Sequence, residues 1–200
     1  MVLSEKFSSE KCNDVIKKSQ ISHNVSKVQS KLLNIGTQYS FYLHLIRMTA
    51  WFIRFFHNRT TKGFKPPNEL NLILQPEELE YAKICLIRKS QLMHYPVEYN
   101  LLSKGLSLPN TSNLLKLNPI MDPESLCLRV GGRLKHANLS YYEKYPYILS
   151  PKSSLAKVII RDIHLKSLHG INQLTLSLVR EFLWIPNARN LVKTIITQCV

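Results

Sequence analysis

A histidine, four residues, a second histidine and, after twenty-nine more, a cysteine: His164, His169 and Cys199 constrain this chain more tightly than any other feature of it. Neutral imidazole and thiolate are the donors that zinc and similar borderline metals select. Structural sites place two such donors close in sequence and bring others back after a longer loop. On an ideal helix, five positions turn the chain through about 500°, which points the two imidazoles roughly 140° apart. One of them must therefore lie beyond a helix end.

The sequence supplies that end. Ser153 or Ser154 can cap a helix, Leu155, Val158, Ile159 and Ile163 repeat on one face, and Gly170 is the expected stop. A second helical pattern carries Leu174, Leu176, Leu178, Val179, Phe182 and Leu183 and ends near Trp184 and Pro186. A third runs through Leu191, Val192, Ile195 and Ile196, with Asn187 as its cap. Two antiparallel helices of similar length return the chain to its starting level, so Cys199 is expected beside His169. Leu168, Leu174, Leu178 and Ile195 are expected to form the small interior beneath the metal. A closed tetrahedral site takes a fourth donor, most simply a second cysteine three positions after Cys199, which falls beyond the last residue of the sequence. The competing reading is one partly buried, hydrogen-bonded histidine and one on the surface.

The residues from His164 through Leu168, His169, Gly170, Thr175, Leu178, Arg180, Trp184, Ile185, Pro186 and Arg189 to Cys199 resemble the HHCC zinc-binding domain that begins retroviral and retrotransposon integrases. Upstream, Leu128 to Leu134, Leu139-Ser140-Tyr141 and Tyr145 to Leu149 look like the segment preceding that domain in polyproteins of BEL/Pao retrotransposons. Arg47 to Trp51 with Arg54, Phe55 and Asn58, and Glu77-Glu78-Leu79 with Ala82, Ile87 and Gln91, are similar to the stretch joining RNase H to integrase. Tyr145 and Ser125 depart from the family pattern, which commonly has histidine and glycine there. The resemblance implies zinc as cofactor, DNA as partner, support for multimerisation, and a catalytic domain with three metal-binding carboxylates further along. The segment itself is expected to be non-catalytic.

The expected architecture is mainly α with a small β-hairpin or strand segment, closing in a three-helix HHCC-type zinc-binding bundle. Residues 1–37 are expected to form a poorly ordered basic arm, and 38–110 a helical linker region with an apolar helix from Tyr39 to His57 and another from Pro76 toward Pro96. Arg47 and Arg54 make the first a core helix and not a membrane span. Its polar stripe, Ser40, His44, Arg47, Trp51, Arg54 and Asn58, reads as an ordinary solvated face. Residues 111–152 combine a loop, continuing the irregular stretch from Leu101 to Pro119, with extended runs at Leu126 to Val130 and Tyr147 to Leu149. A turn at Gly131-Gly132 separates those runs, and their periodicity fits either a local hairpin or mutual pairing. Residues 153–200 form the metal-binding unit.

Lysine and arginine number 27 against 13 acids, a net charge of +14, and so large an excess favours a polyanionic partner, nucleic acid foremost. The candidate contacts are Arg129, Arg133, Lys166, Arg180, Arg189 and Lys193. Arg129 and Arg133 flank the glycine turn and read more simply as solvated arginines on a surface hairpin. Four widely spaced cysteines give no disulfide framework, and the polar first residues carry no secretory signal, so an intracellular setting in cytoplasm and nucleus is expected. Two further readings stand beside the integrase fragment. One is a metal-free basic DNA-binding remnant. The other is a zinc hydrolase with two histidines, one cysteine and water on the metal and Glu181 as base.

Overall fold

The computed structural model describes residues 42–60, 73–132 and 137–199. They are mainly helical, with a small four-stranded sheet. The chain divides into two compact units, Met1–Leu86 and Ile87–Val200.

In the first unit, helix α1 (Tyr42–Thr60) buries Tyr42, Leu45, Ile46, Thr49 and Ala50, the spacing of one helical face. Of the polar stripe, Arg54 lies 4.8 Å over the Trp51 ring and forms an ion pair with Glu78, so this guanidinium is engaged within its own unit. Helix α2 (Pro76–His94) opens with proline and carries Glu77 and Glu78 in its first turn, where carboxylates complement the helix's positive end. No described helix is long and apolar enough to cross a membrane.

In the second unit the end of α2 is followed at once by α3 (Pro96–Ser103), a helix the sequence reading did not anticipate. Pro96 ends one helix and starts the next, because proline lacks an N–H that the first turn does not need. A 3-10 turn at Leu115–Leu117 then leads into the sheet, whose strands are β1 (Pro119–Met121), β2 (Leu128–Val130), β3 (Tyr147–Ile148) and β4 (Leu183–Trp184), in that order. The first two interfaces are antiparallel and the third is parallel.

Arg129 stands opposite Tyr147, so the extended runs pair with each other, and β2 also pairs with the unforeseen β1 on its far side. Gly131 is required by close approach: its N–H donates to the Asn118 carbonyl at 2.9 Å, and a Cβ would lie 2.1 Å from that oxygen. β4 corrects the expectation that the second C-terminal helix continues to Trp184. The chain leaves the helix at Glu181 and extends along β3, with the Tyr147 and Leu149 N–H groups donating to the Phe182 and Trp184 carbonyls.

Strands this short need support from side chains. Gln91, fully buried on α2, donates to the Leu128 and Ile148 carbonyls and accepts from the Leu128 N–H, so one amide stitches β2 and β3 to the helix. Leu114, Leu128 and Ile148 form the core beside it, against Tyr95, Tyr99 and Leu102.

Arg129 is not a solvated surface arginine. It is 2% exposed, its Nε donates to Asp122 Oδ2 at 2.8 Å, its Nη1 donates to the Tyr145 carbonyl, and its guanidinium lies 3.8 Å from the Tyr147 ring centre. The Tyr141 and Tyr142 rings also face it, from the short helix α4 (Tyr141–Lys144), which Ser140 and Glu143 cap reciprocally. A buried cation needs such partners, because its desolvation is otherwise too costly. Arg133, on the other side of the glycines, lies outside the described residues.

Three helices complete the unit: α5 (Ser154–Lys166), α6 (Asn172–Arg180) and α7 (Ala188–Thr197), each packed against the other two. Ser153 begins α5, and its hydroxyl meets that of Ser90 at 2.7 Å, both buried. The interior consists of Leu155, Val158, Ile159, Leu176, Val179, Ala188 and Val192. Leu168 and Leu174 were expected there and instead are 89% and 45% exposed, because both lie on the outer side of the turn and helix that follow α5.

Two outcomes follow for the Arg129 pair. Replacing Arg129 by methionine leaves Asp122 buried without its cation, and denaturant titration should show a loss of about 3–5 kcal/mol. Burial raises the Asp122 pKa, but the Ser125 hydrogen bond and the Arg129 guanidinium more than offset it and hold the carboxyl below its ordinary value. The folded form binds its proton less readily than the unfolded one, so this stability is complete above the ordinary carboxylate pKa and is lost as pH falls through the depressed one. Acid titration of Arg129→Met should show that phase diminished, since only the Ser125 and backbone hydrogen bonds still favour the carboxylate.

Candidate metal centre

The C-terminal end of α5 is built to turn sharply. The Ser167 N–H donates to the Ile163 carbonyl, the Leu168 N–H to Leu165, and the His169 N–H reaches back to His164 at 3.0 Å. These bonds satisfy carbonyls that a helix end leaves open. Leu168 and His169 both adopt left-handed backbone, φ 54° and 58°. For residues carrying a Cβ this costs on the order of 1 kcal/mol or more each, a strain that persists only where surrounding contacts hold it. Its effect is to fold His169 back over the end of the helix that carries His164.

Gly170 is therefore not the left-handed stop that the sequence pattern implied, since two other residues take that role. Glycine is needed there for space: a Cβ would stand 2.8 Å from both the Ser167 hydroxyl and the Leu174 side chain.

His164 is 2% exposed, and its Nδ1 lies 3.0 Å from the Gly170 carbonyl oxygen. A carbonyl only accepts, so Nδ1 carries a proton, and the tautomer of the neutral imidazole that fits this contact has its lone pair on Nε2. The exposed His169 ring meets the His164 ring edge to face, with centroids 5.1 Å apart at 87°. After α7, the Cys199 N–H donates to the Ile196 carbonyl, and the half-buried Cys199 Sγ lies 3.7 Å from His169 Nδ1.

One donor atom from each of the three residues lies within 4.8 Å of the others. Nitrogen and sulfur donors on one tetrahedral zinc stand about 3.5 Å apart, so the His169–Cys199 spacing matches a shared ion and the triad as a whole is slightly more open. Among the described residues no other three His, Cys, Asp or Glu side chains come together in this way. The arrangement can hold a metal ion through two imidazoles and a thiolate.

The remaining candidates do not converge with these three. Lys166 is largely exposed, with its ammonium 2.7 Å from the Asp162 carboxylate. The exposed Arg180 lies 5.7 Å from the Trp184 ring centre. Arg189 and Lys193 are exposed one turn apart on α7, on a face shared with Asn190, Thr194 and Thr197 and free of acids. Glu181 does not join the three donors. It lines an open groove of about 330 Å³ with Glu143, Leu139, Leu176 and Arg180, a poor position for a base acting on a metal-bound water.

No protein-family model matches the chain, and neither a curated protein nor a solved structure does.

Cysteine chemistry separates the two environments. Burial pushes the Cys127 thiol up to about 11, so it stays protonated at neutral pH. Brief alkylation of the folded chain, read peptide by peptide in a mass spectrometer, should modify Cys199 and spare Cys127. Saturating zinc should slow the reaction at Cys199 and leave Cys127 unchanged.

Proposed function

We propose that this chain is a non-catalytic, zinc-binding and nucleic-acid-binding module of a retrotransposon integrase, of the HHCC type found in BEL/Pao-like elements. The observation that carries the reading is the convergence of His164, His169 and Cys199 from the two ends of a helical unit. A zinc ion bound there would tie the end of α5 to the end of α7, adding cohesion to three short helices whose shared core is small. In such a module the metal is structural: it fixes the fold and leaves chemistry to other parts of the integrase.

DNA is the partner that the charge favours, +14 over the chain. Arg189 and Lys193 are the best-placed contacts, since both are exposed on one turn of α7 and neither has an acidic neighbour on that helix. Lys166 and Arg180 add positive charge on the same unit. Binding of this kind reads the phosphate backbone and is strongly salt-dependent. The module is expected to act inside the cell, in cytoplasm and nucleus, and to assist self-association of the integrase.

The metal-free reading keeps one specific support. Leu155, Ile159, Leu176, Val179 and Val192 form an apolar core of their own in this unit, and none of them is a metal donor. Chelation separates the two. On the zinc reading, a strong chelator lowers helicity and loosens residues 153–200 to hydrogen exchange, and extending the chain so that a cysteine follows three positions after Cys199 tightens zinc binding. Equal stability with and without chelator would favour the metal-free module. In either case Arg189→Glu with Lys193→Glu should weaken DNA binding regardless of sequence and flatten its log–log salt dependence by roughly 2.

A further inference from the structure

The carbonyl oxygen that holds His164 has a second donor. Thr175 Oγ1, on the first turn of α6, lies 3.3 Å from the Gly170 oxygen, and Thr175 is fully buried. A threonine hydroxyl in a helix ordinarily returns to the carbonyl three or four residues back. Thr49 does so to Leu45, Thr194 to Asn190, and Thr197 to Lys193. Thr175 gives its backbone N–H to Ile171, four residues back, but sends its hydroxyl one residue further, to Gly170.

That acceptor is the one whose direction matters. Gly170 follows two strained residues and has no Cβ, so its own ψ is sterically permissive and the plane of the peptide that follows depends on the contacts its oxygen makes. If this plane turns, the oxygen leaves His164 Nδ1, and the imidazole loses the bond that keeps its proton on that nitrogen and its lone pair on Nε2. We propose that Thr175 is a positioning residue for the metal centre: its buried hydroxyl pins the Gly170 carbonyl, and through it sets the tautomer and ring orientation of His164. The metal part of this proposal rests on the zinc reading of the site; the tautomer part does not.

The test uses the full chain with Thr175→Val, which removes the hydroxyl and keeps the shape, and Thr175→Ser, which keeps the hydroxyl. Imidazole ¹⁵N shifts, recorded without zinc at a pH where His164 is neutral, report which ring nitrogen carries the proton. Wild type and Thr175→Ser should show Nδ1–H alone, and Thr175→Val a mixture of tautomers. Zinc affinity, measured by competition with a chromophoric chelator, should fall about 10–100-fold in Thr175→Val and recover in Thr175→Ser. A Thr175→Val chain that unfolds more easily yet keeps wild-type tautomer and affinity would overturn the proposal, because Thr175 would then be a packing residue only. Should the valine variant not fold, Thr175→Ala is read in the same way. A wild-type chain that binds no zinc removes the metal reading, while the tautomer comparison still decides what Thr175 does.

Discussion

The hydrogen bond from His164 Nδ1 to the Gly170 carbonyl is the contact on which the C-terminal unit turns. It spans the strained residues Leu168 and His169, so the same atoms that reverse the chain also orient the buried imidazole. Each partner is fixed by a different element. His164 sits in the last turns of α5, and Gly170 lies just before α6, where the buried Thr175 hydroxyl reaches it. Cys199 arrives only because α6 and α7 return the chain to this end, and its place is set by packing and not by local geometry. A site assembled from a turn and a distant helix end is therefore a report on whether the three helices have closed correctly.

The unit holds a second set of buried polar contacts that involves none of the three donors. Strands of two and three residues offer few ladder bonds, and side chains supply the remainder. Gln91 satisfies three backbone groups of β2 and β3, while Arg129 ties Asp122 to the Tyr145 carbonyl across the segment that carries α4. The buried Ser90 and Ser153 hydroxyls connect α2 to the start of α5, and β4 joins the chain between α6 and α7 to the sheet. Through these contacts the helices that bring the donors together are anchored to the elements upstream of them.

Much of this was legible in the sequence where local chemistry dictates the outcome. Pro76 with Glu77 and Glu78 marks the start of α2, the apolar spacing of α5 and α7 follows their buried faces, and the spacing of His164 and His169 requires a helix end between them. The parts that stayed hidden are decided by tertiary contact. Leu183 and Trp184 fit the end of a helical pattern equally well, and only pairing with β3 draws them into a strand. Arg129 alternates correctly for a strand, but no local signal says whether its face is wet, since the tyrosines that enclose it come from positions 141, 142 and 147. Leu168 was expected inside because it is apolar, whereas its left-handed backbone turns it outward. Thr175 belongs to the HHCC-like pattern, but what its hydroxyl does could be read only once the direction of the Gly170 oxygen was known.

The central claim is that two imidazoles and one thiolate of this chain share a single ion. X-ray absorption at the zinc edge of the metal-loaded chain tests it directly, since sulfur and nitrogen scatter from distinguishable distances, about 2.3 and 2.0–2.1 Å. The account predicts one sulfur and two imidazole nitrogens around each zinc, with the sulfur contribution lost in Cys199→Ser and the imidazole contribution reduced in His164→Ala. A shell of light atoms without sulfur, or a spectrum unchanged by both substitutions, would contradict it.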